Sequence, residues 1–337
     1  GYSQKKIGLV LSGGGASALA HVGVLKALEE FDIPIDCIAG SSAGALVGSL
    51  YSCGYSPQEI EQFILSEDFL LMSKGGLRPE NQFLIREKKY DASTIGFSLA
   101  KDSIVRKSIP LNVVTPTLLD FEMLKVMGHT GASVGHNFDK LFVPFRCVAS
   151  DVYGKNSVTF SDGNLNEAVR ASMTYPLYVN PIKVDGVIYF DGGMYNNFPS
   201  NIMCDEFSPD FIIGSNVSSN MELPDERDMF GVLRSMLTTP TNYELSCCDG
   251  IVIEAKTDIG VFEFERAKEA MDEGYKKALE QIEAIAILVG RKVDRELLYR
   301  KRNEFRSSIP ELKISSVETH NGRQKEVLFA NRSLMRN

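Results

Sequence analysis

The sequence has no hydrophobic run long enough to cross a membrane. Near the C-terminus the longest unbroken apolar run is residues 284–289, whereas a membrane-spanning helix needs about 18 or more apolar residues. A net charge of −8 over 337 residues argues against nucleic acid as the main partner. With 44% hydrophobic and 24% charged residues, the composition is that of a folded globular protein, which excludes collagen-like, coiled-coil and disordered chains.

Cysteine is also scarce. Six cysteines with no C-x-x-C pair are too few for a disulfide framework in a chain of this length. We therefore expect buried free thiols rather than metal or redox sites, and no cofactor. The cysteines are Cys37, Cys53, Cys147, Cys204, Cys247 and Cys248.

Short apolar segments alternate with segments of helical spacing. This pattern predicts an α/β fold of three layers, in which a mostly parallel or mixed sheet lies between helices on both faces. Two consecutive units each contain a strand, a glycine-rich turn and a helix, and their strands are predicted at 6–11 and 33–39. Ser56 with Glu59 then predicts the capped start of a further helix. Further strands are predicted at 143–149, 187–190, 211–215 and 251–253, and helical segments at 165–173 and 264–305.

Two regions depart from this alternation. Within a main domain at 1–290, residues 69–137 mix apolar, basic and turn residues without a clean period and predict an insertion or lid over the sheet. Residues 291–337 predict a helical linker, followed by a hairpin at 313–329 around Asn321-Gly322.

A serine flanked by glycines follows the second predicted strand. Gly40-Ser41-Ser42-Ala43-Gly44 fits G-x-S-x-G at a strand-to-helix junction, which is the context of a nucleophile elbow and makes Ser42 the candidate nucleophile. Gly40 and Gly44 let neighbouring backbone pass without a Cβ clash. The helix that starts behind Ser42 favours developing negative charge. A small-residue helix start without chemistry is the alternative.

Gly13, Gly14 and Gly15 end the first predicted strand and open the first helix. Consecutive glycines there can present N–H groups to the oxyanion that forms during acyl transfer. The same stretch also satisfies the nucleotide-binding pattern G-x-G-x-x-[G/A], with Asp36 about 20 residues on. We favour acyl transfer, because that chemistry needs both this loop and a serine elbow, whereas dinucleotide binding does not need the elbow.

A serine nucleophile needs a base. Among four histidines, only His320 could follow the chain order of ordinary Ser–Asp–His hydrolases. Asp191 is the better candidate, because it ends the predicted strand 187–190 at the carboxyl edge of the sheet, where the sites of α/β folds gather. An isolated Asp-Gly-Gly is otherwise most often a turn.

Four motifs in this order resemble those of bacterial patatin-like phospholipases. They are residues 11–30 (LSGGGASALAHVGVLKALEE), 40–44 (GSSAG), 170–176 (RASMTYP) and 191–199 (DGGMYNNFP). The resemblance covers about residues 6–290 and implies a three-layer hydrolase that cleaves lipid acyl esters through an acyl-enzyme. In that family pattern Ser42 matches the nucleophile and Asp191 its base, while the oxyanion loop corresponds to Gly13, Gly14 and Gly15.

One position departs from the family pattern. The family's glycine loop commonly continues with a basic residue and Gly, where this chain has Ser17 and Ala18. A cation at that position would help to hold a phosphate, so its loss affects phospholipid head groups more than backbone-mediated ester hydrolysis. The alternative function is therefore a catalytically weak lipid-binding domain attached to an outer-membrane module.

The tail at 312–328 is similar to the start of a POTRA module, the periplasmic repeat that precedes outer-membrane barrels. Some bacterial patatin-like proteins carry such a module followed by a barrel, and a plain hairpin is the other interpretation. The similarity implies export to the bacterial cell envelope or surface, with a cytoplasmic protein as the alternative.

A basic segment predicts peripheral membrane contact. Residues 74–107 contain eight Lys and Arg against four Asp and Glu, interspersed with apolar residues, and each well-placed cation contributes roughly 1 kcal/mol to binding anionic lipid. A solvated lid is the alternative.

We expect reversal of Lys88, Lys89, Arg106 and Lys107 to Glu to weaken binding to anionic vesicles and slow vesicle hydrolysis, with turnover of a small soluble ester near wild type. Salt should have the same effect, because exposed charges are screened beyond about 8 to 10 Å. Equal vesicle binding by variant and wild type across a salt series would identify a structural lid instead.

Overall fold

The computed structural model describes residues 4–76, 116–176, 178–220, 232 and 235–311. Its centre is an eight-stranded sheet. The strands are β1 (Ile7–Leu11), β2 (Cys37–Ser41), β3 (Phe145–Asp151), β4 (Asn156–Phe160), β5 (Ile182–Val184), β6 (Val187–Asp191), β7 (Phe211–Asn216) and β8 (Gly250–Glu254).

Hydrogen-bonded neighbours follow one another in the order β5-β6-β3-β2-β1-β7-β8, where β2 and β6 pair with successive parts of β3, and β4 also pairs with β3. Strands β3, β2, β1, β7 and β8 form parallel pairs, whereas β4, β5 and β6 pair antiparallel. Strands β1 and β7 are buried along their whole length, as expected for parallel strands covered on both faces. The predicted mixed sheet is confirmed.

Helices cover both faces of the sheet. They are α1 (Ala20–Glu30), α2 (Ala43–Ser52), α3 (Pro57–Ile64), α4 (Glu67–Ser73), α5 (Thr117–Met123), α6 (His129–Ser133), α7 (Leu165–Ser172), α8 (Ser200–Phe207), α9 (Ala267–Val289) and α10 (Arg295–Ser308). Neighbouring side chains of β1 point into different layers: Leu9 belongs to the main core with α1, α2 and α9, whereas Val10 packs with Met203 of α8. The three-layer prediction is confirmed.

Helices α1 and α9 pack with their backbones in contact. A Cβ added at Gly23 would lie 1.9 Å from the carbonyl oxygen of Met271, and one added at Gly274 would lie 1.9 Å from that of Ala20. Only glycine permits this approach. Helix α9 therefore holds the start of α1, to which the glycine loop (residues 12–16) leads.

The capping box predicted at the start of α3 is present, with Ser56 N donating to Glu59 Oε2 at 2.8 Å. Several element boundaries, in contrast, differ from the sequence predictions. The helical segment 264–305 is broken into α9 and α10, because Gly290 takes left-handed backbone with a φ of 68°. The second strand is Cys37–Ser41 rather than 33–39, and β4, β5 and α8 were not predicted.

Parts of the two irregular regions can be placed. Phe69, Leu118, Met123 and Met127, from the predicted insertion, are buried in the main core. Residues 77–115, which carry most of the basic segment, lie outside the described residues, as do residues 312–337 with the predicted hairpin and the POTRA similarity.

Helix α10 packs on the body of the domain. Arg302 pairs with Glu29, and its guanidinium lies 5.3 Å from the centre of the Tyr51 ring. None of the helices among the described residues is long and apolar enough to cross a membrane.

The prediction of free cysteines is wrong for one pair. Cys204 of α8 and Cys247 form a disulfide across 43 positions of sequence, a pairing that spacing alone does not reveal. Cys37, Cys53 and Cys147 are buried free thiols. Burial raises the pKa of Cys53 to about 12, so this thiol stays protonated and unreactive.

We expect the disulfide to stabilise the fold by about 4 kcal/mol, the chain-entropy value for a loop of this length. Replacing Cys204 and Cys247 together by Ser should lower the urea midpoint under oxidising conditions, and reductant should lower that of the wild type. Cys248→Ser is the matched control and should leave the midpoint in place. Equal midpoints for double variant and oxidised wild type would show that the bond does not constrain the protein.

Candidate active site

Strand β3 aligns the ends of β2 and β6. Val148 of β3 pairs with Ser41, the last residue of β2, and the next residue, Ala149, pairs with Asp191, the last residue of β6. Both strands lie on the same side of β3, because β4 pairs with all of 147–151 on the other side. Strand β2 runs parallel to β3 and β6 runs antiparallel, so their carboxyl ends meet.

Ser42 forms a strained turn between β2 and α2. Its φ is 52°, a left-handed value that is costly for a residue with a Cβ and is concentrated at functional sites. A Cβ on Gly44 would lie 2.4 Å from the carbonyl oxygen of Ser12, and one on Gly40 would lie 2.8 Å from that of Gly44. Both flanking positions therefore require glycine. Ser42 N–H donates to Ser172 Oγ at 2.9 Å.

The side chains of Ser42 and Asp191 are in direct contact. Ser42 Oγ donates to Asp191 Oδ2 at 2.6 Å, and Gly193 N donates to the second carboxylate oxygen, Oδ1, at 2.8 Å. Only 9% of Ser42 and 5% of Asp191 is exposed, so the pair is nearly removed from bulk water. The structure thus brings together the two residues that the sequence indicates as nucleophile and base.

The backbone of Asp191 is fixed by residues to which the sequence analysis gave no role. Asp191 N donates to Thr174 O at 2.8 Å, and Ser150 Oγ donates to Asp191 O at 2.8 Å. Arg170, the first residue of RASMTYP, is buried and donates to Thr174 Oγ1 at 2.7 Å and to Asn180 O at 2.9 Å. This motif therefore supports the carboxylate.

The glycine loop is anchored at both ends. Gly13 N donates to Asn197 O at 3.0 Å, and Ala16 N donates to Val261 O at 2.8 Å. Of the three glycines predicted to form the oxyanion loop, Gly13 has its N–H already bonded inside the protein. Gly14 and Gly15 lie between the anchors and line the cavity with Ser42, so they are the candidate donors.

His21 braces the start of the glycine loop. Its Nε2 lies 2.8 Å from Ser12 O and its Nδ1 lies 2.7 Å from Ser215 Oγ. Burial lowers the pKa of His21 to about 4, so the ring is neutral near pH 7 and acts through hydrogen bonds. None of the three described histidines lines the cavity, and His320 lies outside the described residues.

Asn197 is a second residue that the sequence did not identify. Besides accepting from Gly13, it donates from its backbone to Thr241 Oγ1 at 3.2 Å and from Nδ2 to Tyr243 OH at 3.1 Å. It therefore joins the glycine loop to the segment at 238–243. Its only sequence signal was its position in DGGMYNNFP.

The geometry disfavours the nucleotide-binding alternative. Asp36 Oδ2 accepts from Ile7 N at 2.7 Å and pairs with Arg291, at the amino end of β1. The glycine loop follows the carboxyl end of the same strand, so Asp36 is misplaced for a ribose bound at the loop. Among the described residues, no group of three or more His, Cys, Asp or Glu could hold a metal ion.

A cavity of about 260 Å³ includes the Ser42–Asp191 pair in its lining. Part of the lining is apolar and comes from α2, α4, α5 and the segments around 173–179 and 259–264. The rest is polar and comes mainly from 218–220 and 238–243. The apolar part includes Leu46, Phe69, Met72, Leu119, Ile259 and Phe264.

The mixed sheet and the strained, glycine-flanked serine turn define an α/β protein whose cavity lies at the start of α2. The family model of patatin-like phospholipases matches residues 9–203. The chain belongs to this family of lipid hydrolases.

Similar proteins occur in animals and bacteria. Patatin-like phospholipase domain-containing protein 6 of Mus musculus is 28% identical over 207 residues, which are 58% of this chain and 12% of that protein. An uncharacterized NTE family protein of Mycobacterium tuberculosis is 29% identical over 199 residues, 59% of this chain and 46% of that protein. The chain thus matches less than half the length of each of these relatives.

Solved structures to which this chain is similar include VipD from Legionella pneumophila. It is 14% identical, with a TM-score of 0.42, over 84% of this chain and 67% of VipD. The ExoU–SpcU complex of Pseudomonas aeruginosa contains a chain that is 16% identical, with a TM-score of 0.37, over 90% of this chain and 58% of that chain.

The buried His21 gives a pH prediction. The His21 ring binds a proton near pH 6.5 in the unfolded chain but only near pH 4 in the folded protein. Between these two pH values the unfolded state therefore binds one proton more than the folded state. Stability should therefore fall by about 3 kcal/mol as the pH drops from about 6.5 to about 4.

Urea unfolding across this pH range should show that His21→Asn loses less of its free energy of unfolding at acid pH than the wild type does, although the variant is less stable at pH 7. His136→Asn, at an exposed histidine with a φ of 59° that Asn tolerates, should follow the wild-type profile. Parallel profiles for His21→Asn and wild type would contradict a buried neutral ring.

Proposed function

We propose that the protein hydrolyses acyl esters of lipids, with Ser42 as nucleophile and Asp191 as base. The observation that carries the proposal is the 2.6 Å contact between Ser42 Oγ and Asp191 Oδ2 in the lining of a largely apolar cavity. Membership of the patatin-like phospholipase family supports a lipid hydrolase. The ester substrate and the two-residue mechanism are the finer parts of the proposal, and the Ser42–Asp191 contact supports them.

The first half-reaction transfers the acyl group to the protein. Asp191 takes the proton of Ser42 Oγ as this oxygen attacks the ester carbonyl, and a tetrahedral oxyanion forms. The N–H groups of Gly14 and Gly15 and the N-terminus of α2 stabilise that charge. When the ester C–O bond breaks, Asp191 returns the proton to the leaving alcohol, and acyl-Ser42 remains.

The second half-reaction uses water in the same roles. Asp191 accepts a proton from the water that attacks acyl-Ser42, and a second tetrahedral oxyanion forms. Collapse breaks the bond between the acyl carbon and Ser42 Oγ, which takes the proton back from Asp191. The products are the carboxylic acid and the free serine.

A carboxylate can serve as base here without histidine. Gly193 N–H holds Oδ1, which leaves Oδ2 facing the serine hydroxyl. Because the pair is almost excluded from water, electrostatic interactions within it are stronger than at an exposed site. The apolar lining supplies binding energy for the acyl chain, at about 0.8 kcal/mol for each buried CH₂ group.

We also propose that the protein is exported to the bacterial envelope, with membrane contact through residues 74–107. The Cys204–Cys247 disulfide supports this location, since such bonds persist in oxidising compartments. Alkylation of the protein as isolated from cells tests it: a reduced pair would favour the cytoplasm.

We expect Ser42→Ala and Asp191→Asn each to lower kcat for a soluble p-nitrophenyl ester by about 100-fold or more, and the double variant to be scarcely worse than either. The two residues act as one unit, so their losses are not additive. Circular dichroism and urea midpoints should stay close to wild type.

Ser41→Ala is the matched control. Ser41 is fully buried beside the nucleophile, and its hydroxyl has no hydrogen-bond partner among the described residues, so this variant should retain activity. More than about a tenth of wild-type turnover in Asp191→Asn would refute Asp191 as base. A large loss on replacing His320 would favour a histidine triad, and no turnover by wild type would favour a weak lipid-binding domain.

A further inference from the structure

An irregular segment forms one wall of the cavity. Residues 238–249, here called the crossing segment, contain neither helix nor strand and lead into β8. Thr241 and Tyr243 of this segment line the cavity together with Ser42 and Asp191. Because the crossing segment belongs to no helix or strand ladder, its position depends on the contacts that it makes with other elements.

Asn197 connects the crossing segment to the glycine loop. Its backbone N–H donates to Thr241 Oγ1 at 3.2 Å, and its Nδ2 donates to Tyr243 OH at 3.1 Å. Its carbonyl oxygen accepts from Gly13 N at 3.0 Å. A displacement of the crossing segment is therefore transmitted to the loop that carries the candidate oxyanion donors.

The other end of the crossing segment is fixed to α8. Cys247 forms the disulfide with Cys204 of that helix, and Ser246 N donates to Ser200 Oγ at 2.9 Å. Helix α8 begins at Ser200, shortly after Asn197 in the chain. The disulfide therefore joins covalently the two stretches of chain that meet at Asn197.

This disulfide is within reach of solvent. Cys247 is exposed and Cys204 is half-buried, unlike the buried free thiols of Cys37, Cys53 and Cys147. A thiolate that reduces a disulfide needs access to one of its sulfur atoms, and exposed disulfides are commonly the labile or regulatory ones. An external dithiol can therefore attack the bond at Cys247 while the core stays folded.

We propose that the Cys204–Cys247 disulfide is a redox switch for the active site. In the oxidised protein it holds the crossing segment against Asn197. In the reduced protein the crossing segment moves away, and the glycine loop loses its fixed position. The effect on turnover rests on the proposed ester hydrolysis. The switch agrees with the proposed export, because the protein would be less active in a reducing cytoplasm than in an oxidising compartment.

The reducing step consumes one molecule of a dithiol. One thiolate of the reductant attacks Cys247 Sγ, the S–S bond breaks, and Cys204 leaves as a thiolate that takes up a proton. The second thiolate of the reductant then attacks the reductant's own sulfur in the mixed disulfide, which frees Cys247 as a thiol. Two electrons and two protons pass from the dithiol to the two cysteines, and the dithiol becomes a cyclic disulfide.

Turnover of a soluble p-nitrophenyl ester in dithiothreitol tests the switch, with folding checked by circular dichroism. We expect reduction to lower kcat/KM by about tenfold, since misplacement by about 1 Å can cost roughly 100-fold, and reoxidation to restore it. Replacing Cys204 and Cys247 together by Ser should give the same low activity without a response to reductant. Cys248→Ser is the matched control and should respond as the wild type does.

Tyr243→Phe tests the connection while the disulfide is intact. The change removes the hydroxyl that accepts from Asn197 Nδ2, so the oxidised variant should be slower than the oxidised wild type. Reduction should then lower its activity by a smaller factor, because changes within one set of contacts are not additive. Tyr55→Phe removes a hydroxyl that donates to Val126 O at 3.3 Å outside the cavity lining, and should behave as the wild type does.

Amide hydrogen exchange gives a measurement that does not depend on turnover. Reduction should speed exchange at Gly13, Asn197 and Thr239, whose N–H groups donate to Asn197 O, Thr241 Oγ1 and Met194 O. Exchange at Leu9, in the middle of β1, should stay unchanged.

The outcomes separate this switch from the proposed function. No turnover by the oxidised wild type would refute ester hydrolysis, whereas faster exchange of the three amides on reduction would still support the switch. Equal turnover by the oxidised and reduced wild type would overturn the switch and leave the proposed function standing. Unfolding of the reduced protein would overturn the switch as well, because the bond would then hold the whole fold.

Discussion

The candidate site depends on the register with which β3 holds two other strands. Ser41 and Asp191 pair with consecutive residues of β3, and a slip of β6 by one residue would turn the side chain of Asp191 to the opposite face of the sheet. Strand β6 is also held on its other edge by β5, with Val184 opposite Val187 in a tight hairpin. Its two turn residues, Asp185 and Gly186, both have positive φ, as a tight two-residue hairpin requires.

Residues that do not belong to the Ser42–Asp191 pair hold the backbone around it in place. His21 holds the first residue of the glycine loop, and the carbonyl of Asn197 accepts from the amide of Gly13 while its own amide fixes the polar lining. The candidate oxyanion loop and the polar lining of the cavity therefore share one hydrogen-bonded scaffold, and a change at Asn197 should disturb both.

Local patterns were sufficient for the buried centre of the fold and insufficient for contacts between distant segments. The apolar runs of β1 and β7, and the glycine-flanked Ser42, could be predicted because their signals are contiguous. Strands β4 and β5 are short and partly exposed, so their apolar patterns are weak, although Asp185-Gly186 was a hairpin signal. The disulfide and the use of the Gly13 amide depend on tertiary contacts that no local pattern records.

The most direct test of the central claim is the reaction of the protein with a fluorophosphonate, followed by peptide mass spectrometry. Such a reagent phosphonylates a serine only where a base activates it. We expect one adduct per chain, on Ser42, formed at least about 100 times more slowly in Asp191→Asn. An adduct on a different serine, or equal labelling rates for Asp191→Asn and wild type, would contradict it.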